Sequence, residues 1–463
     1  MMPMTRFVCL LVPMALLLGV SAAHASNGCD PTVDPAPVFT PDGKTITQLF
    51  SAFSATPDLS SICNLAIPAL LPDGTFAVYR SVYKGAVLAE NGDTSTATLM
   101  VTSGKGEELS TITTTSDGFA DSADIYHEGR LGLDSAGRVS GTIVLQVAGL
   151  DGFGSPPEAT LESLDLVELG RTTLSSVTTS LAQLADAQAG IVTNLDSEAS
   201  RLLGADAPLQ MPDGIALEGA IGSATLGLKA NVNLQDGFSV QAGAAFATEA
   251  NASSSFTSLP LLALSLRYVE PKAMALRPFG EAGIFASPTL QMHFSRDYSG
   301  GAGSADVSGS QVSIFGRAGV LYAPDLNNEL AFSATLTQNW LNLGAYDEMT
   351  TAGNLFPAHI GAASFSTPTV KAGVAWTHLV SPDIDFTLSA AVGRSFGCTP
   401  LLANVDWVGP VSSGAEDVSF AELGARVGVK VRENTTANLF VADTVGDKFA
   451  NHLQLGGGLR INF

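Results

Sequence analysis

The sequence predicts a mainly β protein, namely a 12-stranded antiparallel transmembrane β-barrel with a lumenal α-helix, preceded by a small, mostly β N-terminal domain. Three observations carry this prediction. The C-terminal half alternates apolar and polar residues with the period of two that a β-strand imposes. Its connections alternate between short turns and longer Gly-, Ser- and Asn-rich segments. A polar stretch with helical periodicity precedes the first alternating segment.

The first 25 residues have the pattern of a secretory signal peptide. Arg6 precedes an apolar run from 7 to 20, and Ala23 and Ala25 give the small-x-small pattern of a cleavage site before Ser26. The run is too short for a permanent transmembrane helix, which needs about 20 apolar residues. We therefore expect residues 1–25 to be removed and the mature protein to start near Ser26, outside the cytoplasm.

The composition excludes one class of partner and favours another. The chain has 44 Asp and Glu against 22 Lys and Arg, and phosphate binding needs clustered positive charge, so no nucleic-acid partner is expected. Hydrophobic residues make up 46% of the chain, yet no stretch after the leader reaches about 18 uninterrupted apolar residues. Such a composition suits a transmembrane barrel, whose apolar signal is spread over alternate residues.

Three cysteines remain after the leader. Cys29 and Cys63 lie in the same short region, and in an oxidising compartment they are candidates for a disulfide, which leaves Cys398 over. The alternative is that all three are free. Their spacing does not match a metal site, so neither a metal nor a cofactor is expected.

Residues 26–157 are expected to form the small, acidic, β-rich domain, because short alternating runs there are separated by turn residues. The region holds one histidine, His127, and no glycine pattern of a nucleophile elbow, so no enzyme activity is expected. Asp117, Asp121 and Asp124 lie close together, but their spacing differs from that of a calcium loop and favours a solvated acidic loop.

Residues 158–211 are expected to form a helical linker. From Arg171 to Leu203, apolar residues recur in steps of three, four or seven, and Gly204 and Pro208 end the pattern. The helix would be roughly 50 Å long, at about 1.5 Å per residue. Its other faces are too polar for lipid, which leaves a wet pore or, alternatively, a coiled-coil stalk. The apolar stripe consists of Leu174, Val177, Leu181, Leu184, Ile191, Leu195 and Leu202.

Residues 212–463 are expected to form the barrel. Short turns lie near 235, 270–272, 324–327, 381–383 and 432–434. Between them come connections near 222, 250–255, 297–309, 342–365, 397–417 and 444–451. Five short and six other connections in alternation require twelve strands. Sorting of loops by side is typical of outer-membrane barrels, whereas a soluble sheet with one wet face offers no reason for it.

The last strand supports the same class. Leu455, Leu459, Ile461 and Phe463 share one face, and polar residues alternate with them. Together with the leader, the N-terminal domain, the polar helix and a barrel of about 250 residues, this organisation resembles a monomeric autotransporter, the type V secretion class. The resemblance covers roughly residues 171–463. It implies a barrel in outer-membrane lipid, a helix that threads the lumen and a passenger at the cell surface. It also implies that Phe463, Ile461, Leu459 and Leu455 form the signal that the barrel-assembly machinery reads.

Two features depart from that family. Its passengers are commonly long parallel β-helices, whereas this passenger has about 130 residues and no visible repeat. Family members that cut themselves in the barrel do so at adjacent asparagines, but Asn194 stands alone in this helix. The family therefore supplies no activity for the passenger, and self-cleavage by that route is not expected.

Alternation also assigns charges to the lumen. The inward acids are Glu249, Glu281, Asp385 and Glu422, and they are outnumbered by basic residues. We hypothesise that this net positive wall attracts the helix acids Asp186, Asp196 and Glu198 and so holds the helix as a plug. The alternative is that these groups only hydrate a channel. The expected basic wall consists of Lys229, Arg267, Arg277, Arg317, Lys371, Arg426, Lys430 and Arg460.

Two functions follow from this organisation. The first is an autotransporter-type outer-membrane protein, in which a monomeric barrel anchors and translocates a short passenger that acts as a binding or adhesin-like module. The alternative is an outer-membrane channel or structural barrel that the helix plugs, with the N-terminal domain in the periplasm.

Overall fold

A computed structural model describes residues 26–27, 29, 34–89, 94–103, 106–115, 121–134, 136–149, 156–204, 212–221, 224–250, 254–271, 275–397, 400–414, 417–448 and 451–463. The expected signal peptide, Cys398 and Asp117 lie outside these ranges. The chain divides into two compact units, one that ends at Leu169 and one that starts at Gly170, with Gly74–Phe76 assigned to the second.

The first unit consists of β-strands. Their bounds are β1 Ser26–Asn27, β2 Val38–Phe39, β3 Thr45–Leu49, β4 Ser54–Ala55, β5 Ser61–Pro68, β6 Thr75–Ala89, β7 Thr94–Ser103, β8 Gly106–Thr115, β9 Asp121–Gly132, β10 Arg138–Gly149 and β11 Glu158–Thr173.

These strands form two sheets around one core. One sheet has the order β1-β5-β10-β7-β8 and the other β2-β3-β11-β6-β9, with β4 paired to β11. Buried residues of both sheets, such as Leu65, Leu99, Tyr79 and Leu164, belong to a single hydrophobic cluster. The expected β-rich domain is therefore a β-sandwich, in which the inner faces of both sheets bury their apolar residues.

Cys63 lies in this core with 0% exposure and is joined to Cys29 by a disulfide. Tyr79 and Tyr83 are also fully buried, whereas Tyr126 is 56% exposed. Tyr126 pairs across the sheet with Lys84, and both residues are on the outer face. The alternation of β9 sets this direction, because Ile125 takes the inward position.

The end of the first unit differs from the expected boundary at 157. Residues 158–169 belong to β11, which pairs with β3, so the sandwich extends past residue 157. The reason is that Leu161, Leu164 and Leu166 are buried in the sandwich core. The expected linker of 158–211 therefore starts with a strand rather than a helix.

The second unit contains one described α-helix, α1 Leu174–Leu202, which begins and ends close to the expected 171–203. Its strands are β12 Gly214–Ile221, β13 Ala224–Asn233, β14 Phe238–Ala250, β15 Ser254–Val269, β16 Leu276–Tyr298, β17 Gly301–Tyr322, β18 Asn328–Leu343, β19 Tyr346–Asp347, β20 Ala358–Ile360, β21 Ala363–Ser381, β22 Ile384–Ser395, β23 Leu402–Val405, β24 Gly409–Ser412, β25 Val418–Arg432, β26 Thr435–Gly446 and β27 His452–Asn462.

Twelve of these strands close into an antiparallel barrel, which confirms the predicted fold class. The order is β12-β13-β14-β15-β16-β17-β18-β21-β22-β25-β26-β27, and β27 returns to pair with β12. Leu217 and Leu459 are partners in this closing pair and are exposed on the outer face at 53% and 55%. Similar apolar side chains cover the outside of the wall, such as Leu226, Leu264, Ile314, Phe332, Leu388 and Leu423.

The short connections occur where the alternation predicts them. The longer ones differ in two places. Residues 297–309 were expected to form a loop, but β16 and β17 continue through them and only Ser299 and Gly300 connect the strands. The Gly- and Ser-rich run still alternates, with Tyr298 and Val307 buried. The connections at 344–362 and 396–417 contribute β19, β20, β23 and β24 to a four-stranded sheet.

Among the described residues, no helix combines the length and the apolarity that crossing a membrane requires.

Candidate functional site: the lumenal helix and its contacts

Helix α1 begins at the end of the barrel that carries the longer connections. Thr173 is its N-cap, and the Thr173 Oγ1 accepts a hydrogen bond from the Ser176 N–H at 3.2 Å. Ser176 Oγ in turn accepts the Ser299 N–H at 2.6 Å, and Thr172 Oγ1 lies 3.3 Å from Ser299 Oγ. Since Ser299 is in the turn between β16 and β17, the start of the helix is fixed at that end.

The helix ends towards the short connections. Gly204 follows it in the left-handed region, with φ of 70°, a conformation that favours glycine and stops the helix. The Leu203 carbonyl accepts a hydrogen bond from Arg267 Nη2 at 3.1 Å. Arg267 lies two residues before the end of β15, which leads into a short connection. The helix therefore runs along the lumen from the long-connection end towards the short-turn end.

The apolar stripe of the helix packs on the wall, as its periodicity indicates. Six of its seven residues are buried, and the exception is Leu174 in the first turn, at 46% exposure. Leu202 sits against two glycines: a Cβ added to Gly227 would come within 2.8 Å of the Leu202 Cδ2, and one added to Gly243 within 3.1 Å of its Cβ. These two wall glycines on β13 and β14 leave room for the helix to approach.

The three helix acids that we expected to meet a basic wall have different surroundings. Asp196 accepts hydrogen bonds from Asn339 Nδ2 at 2.9 Å and from Gln311 Nε2 at 3.0 Å, which are neutral amides on β18 and β17. Glu198 pairs with Arg201 of the same helix at 2.7 Å. Asp186 is half-buried. For Asp196 and Glu198, the contacts therefore differ from the hypothesised attraction to wall lysines and arginines.

The basic residues of the wall pair mostly with acids of the wall. Arg460 donates to the Pro212 carbonyl, and Lys430 is exposed near the short connection at 433–434. The wall charge is thus largely compensated between strands, because Glu218 and Glu329 add to the acids that we counted. The ion pairs are Lys229–Glu218 at 2.6 Å, Arg426–Asp385 at 2.7 Å, Lys371–Glu422 at 2.8 Å, Arg267–Glu281 at 3.1 Å, Arg317–Glu281 at 3.9 Å and Arg277–Glu329 at 4.0 Å.

A polar cluster anchors the N-terminal half of the helix. The Ser180 hydroxyl accepts from Arg296 Nη1 at 3.0 Å. Arg296 also binds Glu348 through two contacts of 2.7 Å and donates to the Phe356 carbonyl at 2.8 Å. The Arg296 and Glu348 side chains are 1% and 3% exposed. This cluster joins the helix to β16 and to the long connection at 344–362.

A second cluster surrounds the C-terminal half. Arg201 Nη1 lies 3.3 Å from Glu218 Oε2 on β12, and Glu198 Oε1 lies 3.6 Å from His452 Nε2 on β27. His452 Nδ1 in turn lies 2.9 Å from Glu249 Oε2 on β14. Asn194 Nδ2 donates to the same Oε2 of Glu249 at 2.9 Å, so this lone asparagine of the helix is a buried structural contact.

The helix does not fill the lumen. A cavity of about 140 Å³ remains beside its C-terminal half, lined by Ser197 and Ser200 of the helix and by Arg317, Lys371 and Glu422 of the wall, among others. Ser197 Oγ crosses to the wall and donates to Glu422 Oε1 at 2.5 Å.

Sequence reasoning missed several of these contact residues, including Arg201, Glu218, His452 and Arg296. The signal for Glu218 was present, since it occupies an inward position in the alternation of β12. Arg296 directly precedes residues 297–309, which we expected to form a loop, although β16 continues to Tyr298. In the described part of the chain, no group of three or more His, Cys, Asp or Glu residues is arranged to hold a metal ion.

The structure is similar to solved structures of two autotransporters and of a toluene transporter. The translocator domain of the autotransporter NalP from Neisseria meningitidis has 14% identity and a TM-score of 0.43, over 62% of this chain and 99% of that one. The transport unit of the autotransporter AIDA-I from Escherichia coli has 15% identity and a TM-score of 0.33, over 58% and 98%. The toluene transporter TodX from Pseudomonas putida has 12% identity and a TM-score of 0.34, over 57% and 93%. No protein-family model and no curated protein matches the sequence.

Proposed function

We propose that this protein is an outer-membrane protein of the autotransporter type, whose barrel anchors the chain and translocates the N-terminal β-sandwich to the cell surface. The observation that carries the proposal is the direction of α1. The chain enters the lumen at the long-connection end, beside Ser299, and leaves the helix near Arg267 to become β12. Short turns of such barrels face the periplasm and longer loops face outwards, so the chain before the helix would emerge outside.

The barrel itself supports the membrane location. Every barrel strand has two hydrogen-bonded neighbours, so the barrel has no open edge, and only closed barrels and helices satisfy the backbone within lipid. The outward Leu, Val, Ile and Phe side chains supply the apolar surface that lipid requires. We propose outer-membrane lipid and the barrel-assembly machinery as partners, and a monomeric barrel, since one chain closes the whole ring.

We propose a binding role, not catalysis, for the displayed sandwich. The outer face of β6 and β9 places two exposed arginines, Arg80 and Arg130, directly opposite each other. Like charges that face each other across strands repel, and an anionic group bound between them would relieve that repulsion. Tyr126 is exposed on the same face, four register pairs away, and its hydroxyl donates a hydrogen bond to Glu128, which lies between Tyr126 and Arg130. This face supports an adhesin-like module that contacts an acidic ligand.

The test compares the accessibility of three epitope tags on intact cells to a protease that cannot cross the outer membrane. One tag follows Ser26, a second lies in the long connection after Gly414, and a third lies beside Leu326, which is 94% exposed in a short connection. Loss of the first two tags with retention of the third supports display.

Loss of only the Gly414 tag would contradict display and place the N-terminal domain in the periplasm. The protein would then be a channel or structural barrel plugged by α1, and the β-sandwich would face periplasmic ligands. Lysed cells, in which all three tags are cleaved, provide the control.

A further inference from the structure

The closing pair of the barrel, β12 with β27, which we call the seam, has glycines at its centre. Gly456, Gly457 and Gly458 are consecutive in β27, and Gly457 pairs with Gly219 of β12. Glycine in a strand weakens it, because the unfolded chain loses more freedom and no side chain packs against the neighbours. The pairing of β12 with β27 is therefore expected to depend on contacts with other parts of the protein.

The glycines leave space for larger neighbours. A Cβ added to Gly458 would come within 2.6 Å of the Glu218 Cγ, and one added to Gly456 would overlap the Phe440 ring. Both neighbours face the helix. Arg201 Nη1 lies 3.3 Å from Glu218, and the Arg201 guanidinium lies 4.7 Å from the centre of the Phe440 ring. The space at the glycines thus accommodates the side chains that Arg201 contacts.

One ion pair of the helix touches both strands of the seam. Arg201 bridges Glu198 and Glu218, and so connects the helix to β12. Glu198 lies 3.6 Å from the His452 ring and accepts a hydrogen bond from Gln454, and both of these residues belong to β27. Thr225 Oγ1 of β13 donates to Glu198 at 3.1 Å.

These groups are almost completely removed from water. The side chains of Glu198, Arg201, Glu218 and His452 are between 1% and 6% exposed. Buried ion pairs are weak evidence for net stability, but removal of one partner leaves a buried charge uncompensated and is strongly unfavourable. The contacts therefore couple the helix to both seam strands, and loss of Arg201 would remove a basic partner from both Glu198 and Glu218, which would keep their contacts with His452 and Lys229 respectively.

We propose that Glu198 and Arg201 of α1 form a latch that holds the barrel closed at the seam. The helix then has a structural task in addition to occupying the lumen: the seam separates more readily when the helix or its ion pair is missing. This inference concerns the barrel alone and does not depend on which side of the membrane carries the N-terminal domain.

The test uses the full-length protein in detergent and measures the temperature at which the compact barrel converts to the unfolded form on a denaturing gel. Arg201→Met is expected to lower that temperature by several degrees, and Arg201→Lys by less, since lysine retains the charge. The matched control is Asp196→Asn, which alters a helix acid that is hydrogen-bonded to β17 and β18, and a smaller loss is expected.

Engineered disulfides then test whether the stability lost in Arg201→Met is lost at the seam. Leu217→Cys with Leu459→Cys links β12 to β27, whereas Ala318→Cys with Ala334→Cys links β17 to β18, and both pairs are register partners on the outer face. In the Arg201→Met background, oxidation of the seam pair is expected to restore most of the lost temperature and oxidation of the other pair little.

Equal rescue by both disulfides, rescue by neither, or no effect of Arg201→Met would overturn the latch. If Arg201→Met alone gives no assembled barrel, the same comparison is made on the yield of folded barrel. Recovery with the seam disulfide alone then supports the latch, and any other pattern overturns it.

Discussion

Arg296 of β16 and Glu348 of the 344–362 connection form a doubly hydrogen-bonded ion pair, with both N–O distances at 2.7 Å, and neither side chain is more than 3% exposed. The pair fastens a long connection to the barrel and to Ser180 of the helix. Such two-pronged geometry is characteristic of strong arginine–carboxylate pairs.

Replacing Arg296 by Met is expected to loosen the 344–362 connection, because Glu348 would remain buried without its cation. Breaking a buried pair in this way costs about 3–5 kcal/mol. Hydrogen exchange of the connection measures the effect. The double variant Arg296→Met, Glu348→Leu removes both charges and should recover much of the protection; equal exchange in both variants would contradict this reading.

The charge-plug hypothesis predicts that changing Asp186, Asp196 and Glu198 together to lysine raises the conductance of the barrel in planar bilayers. The new cations would repel Lys371 and Arg317 in the confined lumen and displace the helix. The corresponding Asn, Asn, Gln variant provides the control for lost contacts. An unchanged conductance in the lysine variant would refute the hypothesis, and the amide partners of Asp196 already argue for a smaller role of charge.

The Cys29–Cys63 disulfide is expected to stabilise the β-sandwich, since it closes a separation of 34 residues in the unfolded chain. A loop of this length corresponds to about 3–4 kcal/mol in the chain-entropy account. Urea unfolding of the full-length protein, with and without reductant, measures the difference through exchange of the β5 amides. Cys63→Ala should reproduce the reduced state, and an identical midpoint with and without reductant would contradict the prediction.

The pair of Lys84 and Asp165 predicts a pH dependence of the same sandwich. Burial raises the pKa of Asp165, but the hydrogen bonds from Lys84 and Thr47 outweigh it and hold that pKa below 3.8. A carboxylate with a depressed pKa contributes stability above its unfolded pKa of about 3.9 and loses it as the pH falls through the folded value. The protection factors of β11 amides should therefore fall below about pH 4, and Asp165→Asn should flatten this fall.

Variants of Phe463 can distinguish a role in barrel assembly from a role in barrel stability. Its side chain is 77% exposed, and its backbone N–H donates to the Asp213 carbonyl at 3.2 Å. If Phe463 is an assembly signal, its deletion should lower the amount of barrel in the outer membrane, whereas the barrel that does assemble should unfold at nearly the wild-type temperature. Phe463→Tyr, which keeps an aromatic ring, should assemble normally. Parallel loss of yield and unfolding temperature would point to a packing role instead.

Periodicity was sufficient for the helix and for most of the barrel strands. The alternation of residues 226–234 and 238–246 predicts β13 and β14, and the stripe through Leu181 and Leu195 predicts the buried face of α1. It could not predict the polar contacts, because Asp196 and Asn339 are 143 residues apart and meet only through the register of the closed barrel. It also failed at 297–309, where glycine and serine suggested a loop but inter-strand hydrogen bonds continue.

The long hairpin of β16 and β17 has a further consequence. Its strands have 23 and 22 residues, whereas about 9–11 suffice to cross a bilayer. About half of each strand therefore exceeds the length needed to cross a bilayer, and the outer side of this part carries polar groups such as His293 and Asp306. In the orientation that we propose for the barrel, this part of the hairpin would lie outside the cell, where an antibody raised against it would detect the protein on intact cells.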